Sequence, residues 1–279
     1  MSFPRLPTAF DPLAPGSVGC FAWGRSTRSQ NTIAEPRRIP GRPLFVPIDT
    51  EIALLPAAPD TGRVFNVRGT LIPATVEFLH IDPTRRTTSL RNGPAQVNTT
   101  EHLMAAINAC GIDNLLIDCP DGEIPGGDGS AELFFNHLIE AGIRSQEGHH
   151  PELVSVIEEG IMETADWSIA VAPSSGGSLA IDAFIDFPEV PIGRQTLHYQ
   201  DCAHSFGLHL ARARTFATKP TSIDAARLLL PGFEAEILPG RFLFTNMIIA
   251  RAIATSLPSG TTTSRSVIRS WTPSAILHS

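Results

Sequence analysis

Lysine is nearly missing from this chain of 279 residues: Lys219 stands alone, and arginine supplies the rest of the positive charge. We read that as GC-rich coding bias rather than function. Twenty-eight acidic residues against 21 basic ones leave a formal net charge of −7, with no basic stripe to offset it. This excludes the electrostatic footprint of a nucleic-acid-binding protein. No apolar run reaches the length of about 18 residues that a membrane span needs, so none is expected. The four cysteines, at positions 20, 110, 119 and 202, lack the paired spacing of a zinc or redox motif. Cys110 and Cys119 fall at apolar positions, where packing is the expected role. Residues 1–29 lack the continuous apolar core of a signal peptide and read as a loose extension, which makes the cytoplasm the expected location. Carboxylates are missing from residues 237–279, where about four are expected at the chain's own frequency of 28 in 279.

What is present describes a globular chain, 42% hydrophobic and 18% charged, long enough for two domains of ordinary size. Its most informative stretch runs from Val97 to Ala131. Leu103, Ala106, Ile107 and Cys110 recur at helical spacing, with Asn98 as an N-cap and Gly111 as a left-handed stop. The apolar run Ile112–Cys119 predicts a buried strand. Turn residues follow at Asp121-Gly122 and Pro125–Gly129, and Asp128 or Ser130 is placed to cap a second helix from about Ala131 to Ala141. Glu101 and His102 therefore sit in a first helical turn, where the positive macrodipole end keeps a histidine neutral and fit to bind a metal. Asn98-Thr99-Thr100-Glu101 equally fits a capping box, with the glutamate folded back on the N-cap.

Strands are expected at Phe45–Leu55, Val64–Val67 and Val76–Ile81. Residues 85–90 and 94–98 flank the hairpin dipeptide Asn92-Gly93. Ser145–Pro151 reads as a linker, and its His149-His150 pair as solvated loop. Beyond it, Val154–Met162, Trp167–Ala172 and Leu179–Phe187 have strand patterns, the last two joined by a turn at Ser174–Gly177, and Thr196–Tyr199 reads as an edge strand. His204 and His209 are five apart, off the spacing that puts two ligands on one helical face; with His198 they read as structural or exposed.

Thr99-Thr100-Glu101-His102-Leu103-Met104-Ala105-Ala106, Gly111-Ile112-Asp113-Asn114, and Glu123-Ile124-Pro125 with Asp128-Gly129-Ser130-Ala131 closely resemble the UDP-3-O-acyl-N-acetylglucosamine deacetylases, zinc enzymes of the committed step of lipid A synthesis. Further likeness begins at Gln30-Asn31-Thr32-Ile33 and includes Thr87-Thr88-Ser89-Leu90 and a second signature, Ala213-Arg214-Thr215-Phe216. The resemblance implies an α+β fold: a two-domain sandwich in which each domain is a sheet with two helices, the helices packed between the outer sheets. Residues 30–145 form the first domain and residues 151 onward the second. It further implies Zn²⁺ as cofactor, a UDP-acyl-sugar as substrate, Glu101 as general base, His102 as one metal ligand, Thr215 at the reacting amide and Phe216 at the ligand wall. Without the resemblance, Ala213–Phe216 reads as a strand end with a core phenylalanine.

Two departures stand out. The family's glycine-rich Ser-Gly loop is replaced by Ile39-Pro40-Gly41-Arg42-Pro43-Leu44-Phe45. Its later Arg-His-Lys-x-x-Asp and Gly-His, which supply two further zinc ligands and a general acid, are also missing; after Phe216 the sole histidine is His278. One explanation is a tail translated out of frame, because Ala252–Leu257 can be back-translated so that a one-base shift reads His-Arg-His-Lys-Leu. A degraded gene is the other. The sequence thus leaves open a working deacetylase or an inactive, sugar-nucleotide-binding relative.

Overall fold

The computed structural model describes residues 20–45, 48–82, 87–174, 178–188, 193–214, 216–218 and 247–249. In chain order the strands are β1 (Phe21–Arg25), β2 (Gln30–Ile33), β3 (Arg37–Gly41), β4 (Thr50–Pro56), β5 (Arg63–Val67), β6 (Thr70–Pro73), β7 (Leu79–His80), β8 (Ser89–Asn92) and β9 (Ala95–Val97). Helix α1 (Glu101–Ala109), β10 (Leu115–Asp118), α2 (Glu132–Ala141) and β11 (Ile143–Gln146) follow. Then come β12 (Glu152–Val156), β13 (Gly160–Glu163), β14 (Ser168–Val171), β15 (Ala180–Phe187), β16 (Gly193–Gln200) and the short helix α3 (Ala203–Ser205). A π-turn at Phe206–Leu210, β17 (Phe216–Thr218) and β18 (Met247–Ile249) complete the described elements. The fold class is α+β.

A five-stranded sheet in the order β3-β4-β10-β5-β6 carries the structure. Its middle strand, β10, runs antiparallel to β4 and parallel to β5, setting Ile117 opposite Leu54 on one side and Phe65 on the other. The period-2 pattern explains the burial: Thr50, Ile52 and Leu54 of β4 are buried, while Glu51 is exposed and Ala53 half-buried between them. Helices α1 and α2 pack together, burying Leu103, Ala106 and Ile107 of the first and Phe134, Leu138 and Ala141 of the second in one core with the sheet. Each fully buried side chain of this kind contributes about 1.5–3 kcal/mol. Gly111, at φ +65, ends α1 as expected, and its carbonyl accepts Asn31 Nδ2 at 3.0 Å.

Several expectations need correction. Val76–Ile81 is not one strand: Val76–Phe78 is a 3₁₀ turn, with only Leu79–His80 pairing to β8. The hairpin turns at Gly93-Pro94 rather than Asn92-Gly93, since Asn92 already pairs with Ala95. Strand β4 starts at Thr50, because the N–H groups of Leu44 and Phe45 are taken by a side chain, Glu123, instead of a neighbouring strand. Val154–Met162 divides into β12 and β13. The turn expected at Ser174–Gly177 lies largely outside the described residues; among the described residues β14 pairs with β13 around Thr164–Trp167, and β15 pairs with β16. Finally, the segment read as a loose extension contains β1, antiparallel to β12.

Candidate active site

The chain enters α1 by an unusual route. Strand β9 ends at Val97, and Asn98 is gripped through its backbone: its N–H donates to Gly122 O at 3.0 Å, and its carbonyl accepts Ile124 N–H at 3.2 Å. Two residues later Thr100 gives both its N–H and its hydroxyl to Thr88 O, each at 3.1 Å. Thr99 between them takes φ +61. A β-branched residue there is a true outlier, costing about 1–3 kcal/mol, and persists only where its surroundings enforce it.

This geometry overturns the capping box. The helix starts at Glu101 with Thr100 as N-cap, and no side chain caps it. Asn98 is occupied elsewhere, its Oδ1 accepting Ser89 Oγ at 2.9 Å and Gln96 Nε2 at 2.6 Å. Glu101 is thereby released from capping. Its Oε2 accepts Thr88 N–H at 3.0 Å, which fixes the carboxylate beside the first turn of α1. Among the described residues no protein group donates to its other oxygen.

The passage from Gly122 runs beside the entry to α1, with Glu123 bridged in parallel to Asn98. Gly122, at φ +71, lies against β9 so closely that a Cβ there would stand 2.7 Å from Gln96 O. Glu123 is wholly buried, and its Oε1 accepts Leu44 and Phe45 N–H at 2.9 Å each, with Thr99 Oγ1 at 3.5 Å. Asp128 Oδ1 accepts Ser130 Oγ at 2.6 Å and Ser130 N–H at 3.1 Å. Its Oδ2 takes both Nη2 and Nε of Arg214, at 2.8 and 3.1 Å. That fork joins the two signature segments across 86 positions of sequence. Burial alone would raise the Asp128 pKa, but the Ser130 and Arg214 bonds outweigh it and hold the carboxyl below its ordinary value.

His102 is half-buried, and desolvation lowers its pKa; the charges of Glu101 and Asp128 pull the other way and lose. That shift favours the neutral imidazole, and burial is its leading cause. Thr215 lies outside the described residues. The backbone of Phe216 opens β17, in parallel register with Met247 of β18.

A neutral imidazole suits a metal, and His102 supplies one such donor. Among the described residues, no group of three or more His, Cys, Asp or Glu side chains could hold a metal ion. Both Asp128 oxygens are already engaged by Arg214 and Ser130. Other histidines lie elsewhere: His149 Nδ1 is 2.9 Å from Asp60 Oδ2, His150 Nδ1 is 2.9 Å from Arg28 O, and His198 Nδ1 is 2.7 Å from Asp182 Oδ1. His204 and His209 are exposed. Sequence reasoning missed three supporting residues: Thr88, Glu123 and Arg214. All three fall within motifs it singled out, but their partners are 13 to 86 positions away and left no local pattern.

The UDP-3-O-acyl N-acetylglycosamine deacetylase family model matches residues 30–227, starting at the first residue of β2. Among curated proteins the chain is 33% identical over 194 residues to the UDP-3-O-acyl-N-acetylglucosamine deacetylase of Chlamydia felis (strain Fe/C-56), covering 68% of each chain. It is 35% identical over 193 residues to the protein of that name from Bdellovibrio bacteriovorus, covering 67% of this chain and 62% of the relative. With the Syntrophotalea carbinolica protein of the same name it shares 32% identity over 191 residues, 67% and 60% of the two chains.

Proposed function

Because the chain belongs to the UDP-3-O-acyl N-acetylglycosamine deacetylase family, we propose that it hydrolyses the N-acetyl group of a UDP-3-O-acyl-N-acetylglucosamine, the lipid A step, in the cytoplasm. The reading places the site in a cleft between a first domain of residues 30–145 and a second from residue 151 onward. The observation that carries it is the Glu101 carboxylate, held at one oxygen by Thr88 N–H and next in sequence to His102, whose burial favours the neutral imidazole.

In this reading Glu101 is the general base. Fixing Oε2 leaves Oε1 to accept the proton of the attacking water, and a positioned base of this kind contributes roughly 10²–10⁴-fold. The backbone bond from Thr88 spares the side chain a search through rotamers at the moment of transfer. Thr215 contacts the reacting amide and Phe216 forms part of the ligand wall. A divalent metal, zinc in this proposal, would supply a water of lowered pKa and polarise the acetamide carbonyl when bound. His102 fits one of its ligand positions; the described residues do not complete the set.

The test is metal content and deacetylation measured on the purified full chain. Glu101→Ala should lower turnover by about 10²-fold or more while metal stays bound; His102→Ala should lower both. Unchanged turnover in Glu101→Ala would remove that residue from the mechanism. A second reading rests on the missing Arg-His-Lys-x-x-Asp and Gly-His after Phe216: a protein that binds the UDP-sugar without chemistry. Binding by calorimetry, with neither metal nor turnover in the parent chain, would select it.

A further inference from the structure

We infer that Glu123 and Thr99 are positioning residues, which set the approach of the chain into α1 and so aim Glu101. The inference rests on the deacetylase reading for its catalytic consequence, but its structural part stands alone.

Thr99 adopts a backbone conformation that its own side chain disfavours, and the neighbours that enforce it can be named. On one side Asn98 is fixed to the Gly122–Ile124 segment, which runs as a parallel bridge beside it. On the other, Thr100 is doubly bonded to Thr88 O. With both flanks fixed, the peptide between them must reverse its direction within a single residue. Thr99 is itself buried at 8% exposure, and its hydroxyl is directed at Glu123 Oε1. Glu123, at 0% exposure, uses that same oxygen to hold the Leu44 and Phe45 N–H groups. A buried carboxylate costs free energy to desolvate and is retained where its hydrogen bonds organise something. Here it joins three separated segments, 44–45, 99 and 123, directly before the residue that acts as base.

These three donors meet at Oε1. A glutamine carbonyl in that place can accept them, so Glu123→Gln should disturb the turn less than Glu123→Ala. Thr99→Val keeps the β-branched shape and removes only the hydroxyl; Thr99→Gly loses the hydroxyl but accepts positive φ without strain.

The experiment measures kcat and KM for deacetylation together with peptide-level amide hydrogen exchange over residues 98–106, in the full chain. We expect Thr99→Val to lower kcat about tenfold or more with KM little changed, as small misplacements of a reacting group do, and to raise exchange at the start of α1. Thr99→Gly should fall less in kcat than Thr99→Val, and Glu123→Gln less than Glu123→Ala. Should Glu123→Ala fail to fold, Thr99→Val decides. Parent-like exchange, or parent-like kcat despite faster exchange, in Thr99→Val overturns the inference. If the parent chain does not turn over, faster exchange in Thr99→Val upholds the positioning of the turn, and it is the deacetylase reading that falls.

Discussion

Residues 30–146 and 152–200 are written in similar sequence style, short apolar strands broken by turns, yet they meet different fates. In the first region the apolar face of β2 and of the five-stranded sheet is closed over: Ile33, Ile39, Ile52, Leu54, Phe65, Ile72, Leu115 and Ile117 are buried, with Leu103 and Phe134 arriving from the helices. In the second, all eight residues of β15 are exposed, among them Phe184 at 58%, and β12 and β14 are exposed nearly throughout. The second region joins the common core through Tyr199, with Leu197 packed beside it; Phe206 and Ala211 follow just beyond the region. Alternation is therefore sufficient to make a strand, because backbone pairing needs only a neighbour. Stability comes from what covers the strand. The candidate site follows the same division, since Glu101, His102, Glu123 and Asp128 all hang on the closed region, and Arg214 reaches it from beyond the open one.

The strongest challenge to this contrast is a matched pair of truncations. Phe65→Ala should cost about 3–5 kcal/mol in urea-induced unfolding, while Phe184→Ala, on exposed β15, should fall within about 1 kcal/mol of the parent. Equal costs would mean that the β15 face is covered in solution, and the contrast would collapse.

A smaller effect is expected where the regions meet. The Asp128–Arg214 pair leaves about a third of each side chain exposed, so Asp128→Asn should cost on the order of 1 kcal/mol at pH 7. Its pH dependence has a definite sign. A carboxyl held below its unfolded pKa of about 3.9 stabilises the fold above that value, and the contribution is lost as pH falls through the lower folded pKa. Asp128→Asn should remove this part of the acid-side decline, so the gap between variant and parent should narrow below about pH 4. A gap that stays constant through the acid range would show that the charge is not what links the segments.

Thiol chemistry gives the gentlest test. Burial pushes Cys119, in the closed region, up to about 12 and Cys110 up to about 11, whereas Cys202 is exposed. A thiol-disulfide reagent at pH 8 should modify Cys202 first, leaving Cys110 and Cys119 unreactive until the protein unfolds. Early reaction at Cys119 would mean that the closed region opens locally.

Much of the closed region was legible beforehand. Helical period placed α1, and turn and cap residues placed α2, to within two residues at each end; Gly111 marked the stop that its φ of +65 requires. The short strand implied by the family likeness at Gln30–Ile33 is β2. Errors gathered where a side chain competes with the local rule. Asn98-Thr-Thr-Glu101 has the composition of a capping box, but distant partners claim Asn98 and Glu101, so the box does not form. Phe45 opens the strand expected over Phe45–Leu55, but its N–H is bound by a carboxylate 78 positions away.

The sequence alone determined the family, the helix carrying Glu101 and His102, and the strand periods, because propensity, turn chemistry and motif spacing act over a few neighbouring residues. Tertiary structure decided the rest: the left-handed turn at Thr99, the capture of Glu101 by Thr88, the three-way anchor at Glu123 and the fork between Asp128 and Arg214. Each of these is set by hydrogen bonds between chain segments separated in sequence. Which donor meets which acceptor is fixed only once the core has packed and the buried polar groups must find partners.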